Sequence, residues 1–510
     1  MIERRIRNSP SSRLHERAWR AMRWATLPAC IAAIGVAGCT MGPDYKRPDP
    51  PLPQTWRTEV ADAQDVANTP WWAKFGDPDL TALIETALES NKDLIQATLR
   101  IEEFDAKLDI SRAANYPQLG YSVTTDRERR SQEKPNGLQP GADPTLSDFE
   151  IGPTFTWELD LWGRVKRANE ASMADLLATE ESRRAVMLTV VTSVATGYVQ
   201  LIELDRQLVL ARQSLKNRQD AFDLTVLKYQ GGSATKLNVE QARAIVEQET
   251  AKIPAIESQV GLAENALSIL LGSNPGPIKR RKLDALTLPP VPQGVPSDVL
   301  RRRPDVLAAE QNLVAANAQI GVAETAYFPT LSLTGALGLA SDQLKFLWAE
   351  TARTASIGAG LAGPIFNGGR IAGNVRAAEA VQKEMTVKYH QTVQVALQEV
   401  DDSLLSRVKS GQREEAIVRQ VAATREVVGL ARTRYEGGQS SFMEVLDADL
   451  KLNSVQSYEA QSRRDTFLAL ISVYKAMGGG WMVEQDRLRA PAPGASGVQI
   501  SSATEARADK

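Results

Sequence analysis

From position 149 to 161 the chain reads FEIGPTFTWELDL. Its odd positions (Phe149, Ile151, Pro153, Phe155, Trp157, Leu159 and Leu161) are apolar, while its even ones are Glu, Gly, Thr or Asp. A period of two predicts a strand with one apolar and one wet face. TLSLTGALGL at 330–339 repeats the pattern through Leu331, Leu333, Leu337 and Leu339, and QLGYSVTTD at 118–126 and ASIGAGLAG at 355–363 alternate more weakly. Four strands are expected, two in each half. The alternation suits the half-buried sheet of a soluble protein as well as a lipid-facing barrel wall. A soluble sheet needs a partner layer, however, and here each strand pair leads into a very long helical stretch, which favours the barrel wall.

Those stretches run from Arg164 to Tyr229 and from Arg370 to Tyr435, 66 residues each. If continuous, each rises about 100 Å at roughly 1.5 Å per residue. Met187, Val191, Val194, Tyr198, Leu201, Leu204 and Leu208 in the first, and Val393, Leu397, Val400, Leu404 and Val408 in the second, keep three- and four-residue steps. Such steps are coiled-coil seams. Gly197, Gly411 and Gly429 weaken the helix by about 1 kcal/mol each relative to Ala, so bends or small interruptions are expected there. Ahead of the first strand one helix is expected, capped by Asp79 or one of its neighbours and running to the Tyr116-Pro117 stop.

The two halves answer each other. Tyr116-Pro117-Gln118-Leu119 matches Phe328-Pro329-Thr330-Leu331, LDLWGRV matches PIFNGGRI, and both ends of the long helices are offset by 206 residues. The expected unit is helix, two strands, long helix and returning helix. It gives a first repeat at 71–271, a linker at 272–296 and a second repeat at 297–485. The linker region GSNPGPIKRRKLDALTLPPVPQGVPS holds six prolines, and the tail 486–510 reads as disordered.

Residues 1–24 carry seven arginines and two glutamates, and 25–38 form an uncharged run ending in small residues before Cys39. Residues 1–38 therefore read as a signal peptide, too short in its apolar part to span a membrane. Val36-Ala37-Gly38-Cys39 resembles a bacterial lipobox, which implies lipid attachment at Cys39, and Thr40 implies sorting to the outer membrane. A start at Met22 would give the more ordinary leader. The proline-rich segment 39–70 follows as an extended tether. Loss of the leader moves the formal charge from −2 to −7, which argues against a nucleic-acid partner. Cys39 is then the lone cysteine and His390 the lone histidine, so zinc sites and histidine-based nucleophilic catalysis have almost no raw material.

KYQGGSATKLNVEQA at 228–242 and RYEGGQSSFMEVLDA at 434–448 share a Tyr-x-Gly-Gly punctuation. Gly231-Gly232 and Gly437-Gly438 each end a long helix and reverse the chain, as C-caps do. One turn later the first copy carries Asn238 and Gln241, the second Glu444 and Asp447. Acid/base catalysis by that carboxylate pair would need a substrate pocket, and the chain has no Walker loop, dinucleotide fingerprint or nucleophile elbow. Two readings stay open: solvated acids complementing a helix N-terminus, or a negatively charged ring in a passage.

Taken together, the lipobox, GPDYKRP, WWAKFGDPDLTALIETALESNKDL and the paired turns resemble the TolC-type outer-membrane efflux proteins, in particular the NodT-like lipoprotein branch serving RND pumps. The resemblance spans nearly all of 39–485. It implies an α+β membrane protein: a homotrimer whose 12-stranded β-barrel, four strands per chain, continues into a long periplasmic α-helical barrel. It implies no cofactor, no metal and no enzymatic activity, and as partners a periplasmic adaptor, an inner-membrane RND-type transporter and outer-membrane lipid. It also implies a periplasmic gate at Tyr435, Met443, Glu444 and Asp447, with Ser440 and Asn238 replacing residues that lock the closed state in some members. Elementary geometry agrees on the copy number. Four strands leave two open edges that the bilayer does not tolerate, eight strands make a barrel filled by side chains, and twelve give a lumen. A periplasmic adaptor lipoprotein is the alternative, although it would carry one hairpin rather than two. A coiled-coil lipoprotein without a pore is a third.

Overall fold

The computed structural model describes residues 40–58, 70–131, 144–292 and 296–478, excluding the side chains of 298–300. The signal segment, Cys39 and the tail from 486 lie outside the described residues. The elements in order are α1 (Pro78–Ser90), α2 (Lys92–Ala113), β1 (Gln118–Arg129), β2 (Thr145–Leu159), α3 (Arg164–Gln230), α4 (Lys236–Leu270), α5 (Pro296–Arg302), α6 (Pro304–Thr325), β3 (Thr330–Ser341), β4 (Arg353–Ala362), α7 (Arg370–Glu436) and α8 (Phe442–Ala476). They fall into two compact units. One comprises residues up to Pro48, Ile101–Ala178 and Ala309–Tyr389; the other comprises Asp49–Arg100, Thr179–Ala308 and the chain from His390 onward.

The first unit holds the sheet, ordered β1-β2-β3-β4 and antiparallel throughout. Odd residues pair with odd (Leu119↔Phe155, Ile151↔Leu339, Leu331↔Leu361), so the apolar positions of all four strands share one face. The β1–β2 ladder runs on to Arg129↔Thr145, past the last alternating residues, because backbone bonds hold it without apolar side chains. β1 and β4 each keep one edge unpaired within the chain.

At the strand-to-helix turn, Arg164 forks onto Glu158 with both bonds 3.0 Å, and the Trp162 ring stacks on Phe328 at 4.7 Å. The tether expected to be extended is bound here at its start. The buried Arg167 donates to the carbonyls of Met41 (3.0 Å) and Gly42 (3.1 Å) and pairs with Asp44 at 2.8 Å. Asn317 Nδ2 donates to the Pro43 carbonyl at 2.8 Å. A chain without regular structure cannot satisfy its own carbonyls, and these side chains do so for it.

In the second unit, Asp77, a neighbour of Asp79, caps α1, accepting from the backbone N–H of Asp79 at 2.9 Å. The buried Tyr198 hydroxyl donates to the other Asp77 oxygen at 2.5 Å, and burial together with that carboxylate pushes the phenol above its usual range. Trp71 stacks on Tyr474 at 4.9 Å, both essentially inaccessible. The single helix expected ahead of the first strand is broken at Asn91, which is extended with ψ 128°. The Asn91 side chain accepts from Leu94 N at 3.0 Å and donates to the Leu270 carbonyl at 2.8 Å. In the second repeat Arg303 takes that place and donates to the Ala476 carbonyl at 3.1 Å.

α3 and α7 run without interruption over 67 residues each, so the small breaks expected at their glycines do not occur. The cost of a helical glycine is small beside the packing of a buried seam, and Met187, Val191, Val194, Tyr198 and Leu201 are all buried. At Gly197 a Cβ would lie 2.9 Å from Leu267 Cδ2, so the missing side chain admits a neighbouring helix.

Candidate functional site at the hairpin tips

Both long helices end in the same backbone motif. Gly231 N bonds to Leu227 O and Ser233 N to Lys228 O, and 206 residues later Gly437 N bonds to Thr433 O and Gln439 N to Arg434 O. These bonds satisfy carbonyls a helix end would otherwise leave unpaired. Only the second glycine of each pair is left-handed, Gly232 at φ 75° and Gly438 at φ 71°. Each pair thus supplies one left-handed residue, as a C-cap requires, while Gly231 and Gly437 have ordinary backbone.

The two tips meet through Lys228. Its ammonium bonds the Tyr435 hydroxyl and lies 4.8 Å from the Tyr435 ring centroid and 5.7 Å from that of Phe442. The Tyr435 and Phe442 rings are 5.2 Å apart, tilted by 51°. A cation bonded to the Tyr435 hydroxyl and lying near the Phe442 ring ties α3 to the end of α7 and the start of α8. The contact joins the repeats at the position where Tyr435 was expected to act, and Lys228 was not singled out from sequence. Its signal was its place seven residues before the N-cap Thr235, matching Arg434 before Ser441.

On α8, Val445 and Leu446 are buried while Met443, Glu444 and Asp447 are exposed along one stripe. Glu444 is bound to Arg434 at 2.9 Å. Among the described residues Asp447 makes no ion pair. The two acids expected to act together are thus unequal, one partly neutralised and one open. In the first repeat the corresponding Asn238 is used locally: it accepts from Thr235 N at 3.0 Å while the Thr235 hydroxyl oxygen accepts from Asn238 N, forming a capping box. Sequence reasoning also missed Arg218 on α3. It is 2% exposed and donates through Nη1 to the Leu446 carbonyl at 3.2 Å, one residue before Asp447.

A sheet with an apolar face and two free edges, together with paired long hairpins meeting at glycine turns, defines a class: a channel of the outer membrane with a helical extension. The chain belongs to the outer membrane efflux protein family, whose pattern it matches over residues 83–273 and 295–479. It is 34% identical to the cation efflux system protein CusC of Escherichia coli over 462 residues, 89% of this chain and 98% of that protein. It is also 34% identical to the solvent efflux pump outer membrane protein SrpC of Pseudomonas putida, covering 91% of this chain and all of that one. A solved structure of CusC, described with its transmembrane channel formation, superposes with a TM-score of 0.77 at 33% identity, over 86% of this chain and 100% of the other. The fold is accordingly that of the TolC-like trimeric barrels, with one four-stranded sheet per chain. The protein is an outer-membrane efflux channel, and the adaptor alternative is not supported.

Proposed function

We propose that three copies close edge to edge into a 12-stranded barrel, anchored through lipid at Cys39, forming a passive exit duct. Cargo reaches it from an inner-membrane RND-type transporter through a periplasmic adaptor. The observation that carries this reading is the pair of unpaired sheet edges at β1 and β4 beneath a shared apolar face. In a bilayer, backbone groups at such edges have no water to turn to, so copies of the chain must pair them. The relatives are named for cations and for solvents, which suits a wide duct whose selection lies upstream.

The gate in this reading is the exposed stripe of α8, with Tyr435 held by Lys228 at its base. Three copies of Asp447 facing one axis concentrate negative charge in a narrow aqueous passage and favour cations. Met443 supplies an apolar step beside them, and Glu444, held by Arg434, contributes less. Detergent-solubilised protein is expected to have the mass of three chains and to conduct ions when reconstituted in planar bilayers. A monodisperse, water-soluble monomer after removal of the acyl groups would contradict the reading.

A further inference from the structure

Arg218 is a buried cation that the duct itself does not require. Its Nη1 donates to the Leu446 carbonyl, while Nε and Nη2 are buried with no hydrogen-bond partner. A buried donor left unmade is costly, and a buried guanidinium more so. Burial lowers its pKa, and the carboxylates of Asp449, Glu249 and Asp447, in that order, act against this through space without bonding it. Asp449 is engaged elsewhere, by Arg432 of α7. That contact is long, 3.5 Å to each oxygen, with Arg432 largely exposed and Asp449 mostly covered. One carboxylate on the gate helix therefore stands between two arginines. One belongs to its own hairpin and is weakly bound; the other belongs to the neighbouring hairpin and has donors to spare.

We propose that Arg218 is a positioning residue for α8: when α8 shifts on α3 into the conducting arrangement, Asp449 leaves Arg432 for the free donors of Arg218, and that pair holds the conducting arrangement. The inference rests on the gate reading of α8. In the present arrangement Arg218 has one neutral acceptor for its five N–H donors, whereas a carboxylate would accept two in a fork. The exchange adds a charge-assisted bond between hairpins as it removes a weak one within a hairpin, giving two discrete states for the segment that carries Asp447. Because the competing partners lie on α3 and α7, changing either one shifts the balance in opposite directions.

The test is single-channel recording of the full-length protein in planar bilayers, comparing R218M, R432M, D449N and the two doubles containing D449N. R218M is expected to lower the open fraction about tenfold, the worth of one charge-assisted bond, and R432M to raise it. D449N should cancel both effects, so each double behaves like D449N alone. A rise in R218M would overturn the proposal, making Arg218 a clamp through Leu446, and so would effects of R218M and D449N that add. If R218M does not assemble, R432M and its double decide: a rise that survives D449N contradicts the exchange. Cation selectivity of D447N is read in the same recordings. Unchanged selectivity there refutes the gate reading itself, independently of the arginine exchange.

Discussion

The two hairpin tips share a backbone and differ in what their side chains do. At the first, Thr235 and Asn238 close a capping box, so the polar groups after the glycines are spent on the helix start. At the second, Ser441 makes no side-chain cap bond, Glu444 turns to Arg434, and Asp447 stays open. Duplication supplied one geometry twice. One copy caps its own turn, and the other lacks that cap and carries two carboxylates. The proposed gate lies at the tip whose local polar groups are left less satisfied.

The contrast recurs at the other ends of the return helices, where Gly272 and Gly478 are left-handed like the tip glycines but packed. A Cβ on Gly272 would meet the Ser90 carbonyl oxygen at 2.0 Å, whereas on Gly232 it would meet nothing within 4 Å. Gly272→Ala is expected to cost about 3 kcal/mol or more, from backbone strain plus the clash, and Gly232→Ala about 1 kcal/mol, from conformation alone. Urea or guanidinium unfolding of the solubilised protein at fixed concentration measures both. Equal losses would erase the distinction between packed and open turns.

Next in size are the residues that tie each return helix to the start of its own repeat. Asn91→Ala removes a helix cap and the bond to the Leu270 carbonyl, and Arg303→Met removes the bond to the Ala476 carbonyl together with ion pairs to Asp305 and Glu399. Each is expected to destabilise by about 2 kcal/mol in the same unfolding measurement. A neutral result for one would show that the repeats no longer use this tie alike. The two tip caps themselves contribute least. Thr235→Ala should cost about 1 kcal/mol and Ser441→Ala only a few tenths, because Ser441 caps nothing through its side chain.

How much of this could be read beforehand depended on the range of the interaction. Period-two alternation located the strands to within a few residues, since it is imposed by the two faces of a sheet and is written locally. The 206-residue echo located both long helices and both turns. The break at Asn91 was missed because its cause is distant: the asparagine is held by a carbonyl 179 residues away, and the surrounding apolar spacing continues across it. Glycines in the long helices were over-weighted, because propensity is outvoted by a buried seam. Arg218 could not be recognised at all, since an arginine in SLKNRQDAF looks like any solvated helical residue until the facing helix is known. The tip acids stand out in the sequence, but their inequality shows only where Arg434 reaches Glu444.

In the proposed gate the second tip, and not the first, carries the charge that ions encounter in the duct. Cation-over-anion selectivity in planar bilayers, compared among the wild type, Asp447→Asn and the first-repeat control Gln241→Ala, tests it most directly. A marked loss of selectivity is expected in Asp447→Asn and none in Gln241→Ala. Retention of full selectivity by Asp447→Asn, in channels that still conduct, would contradict it.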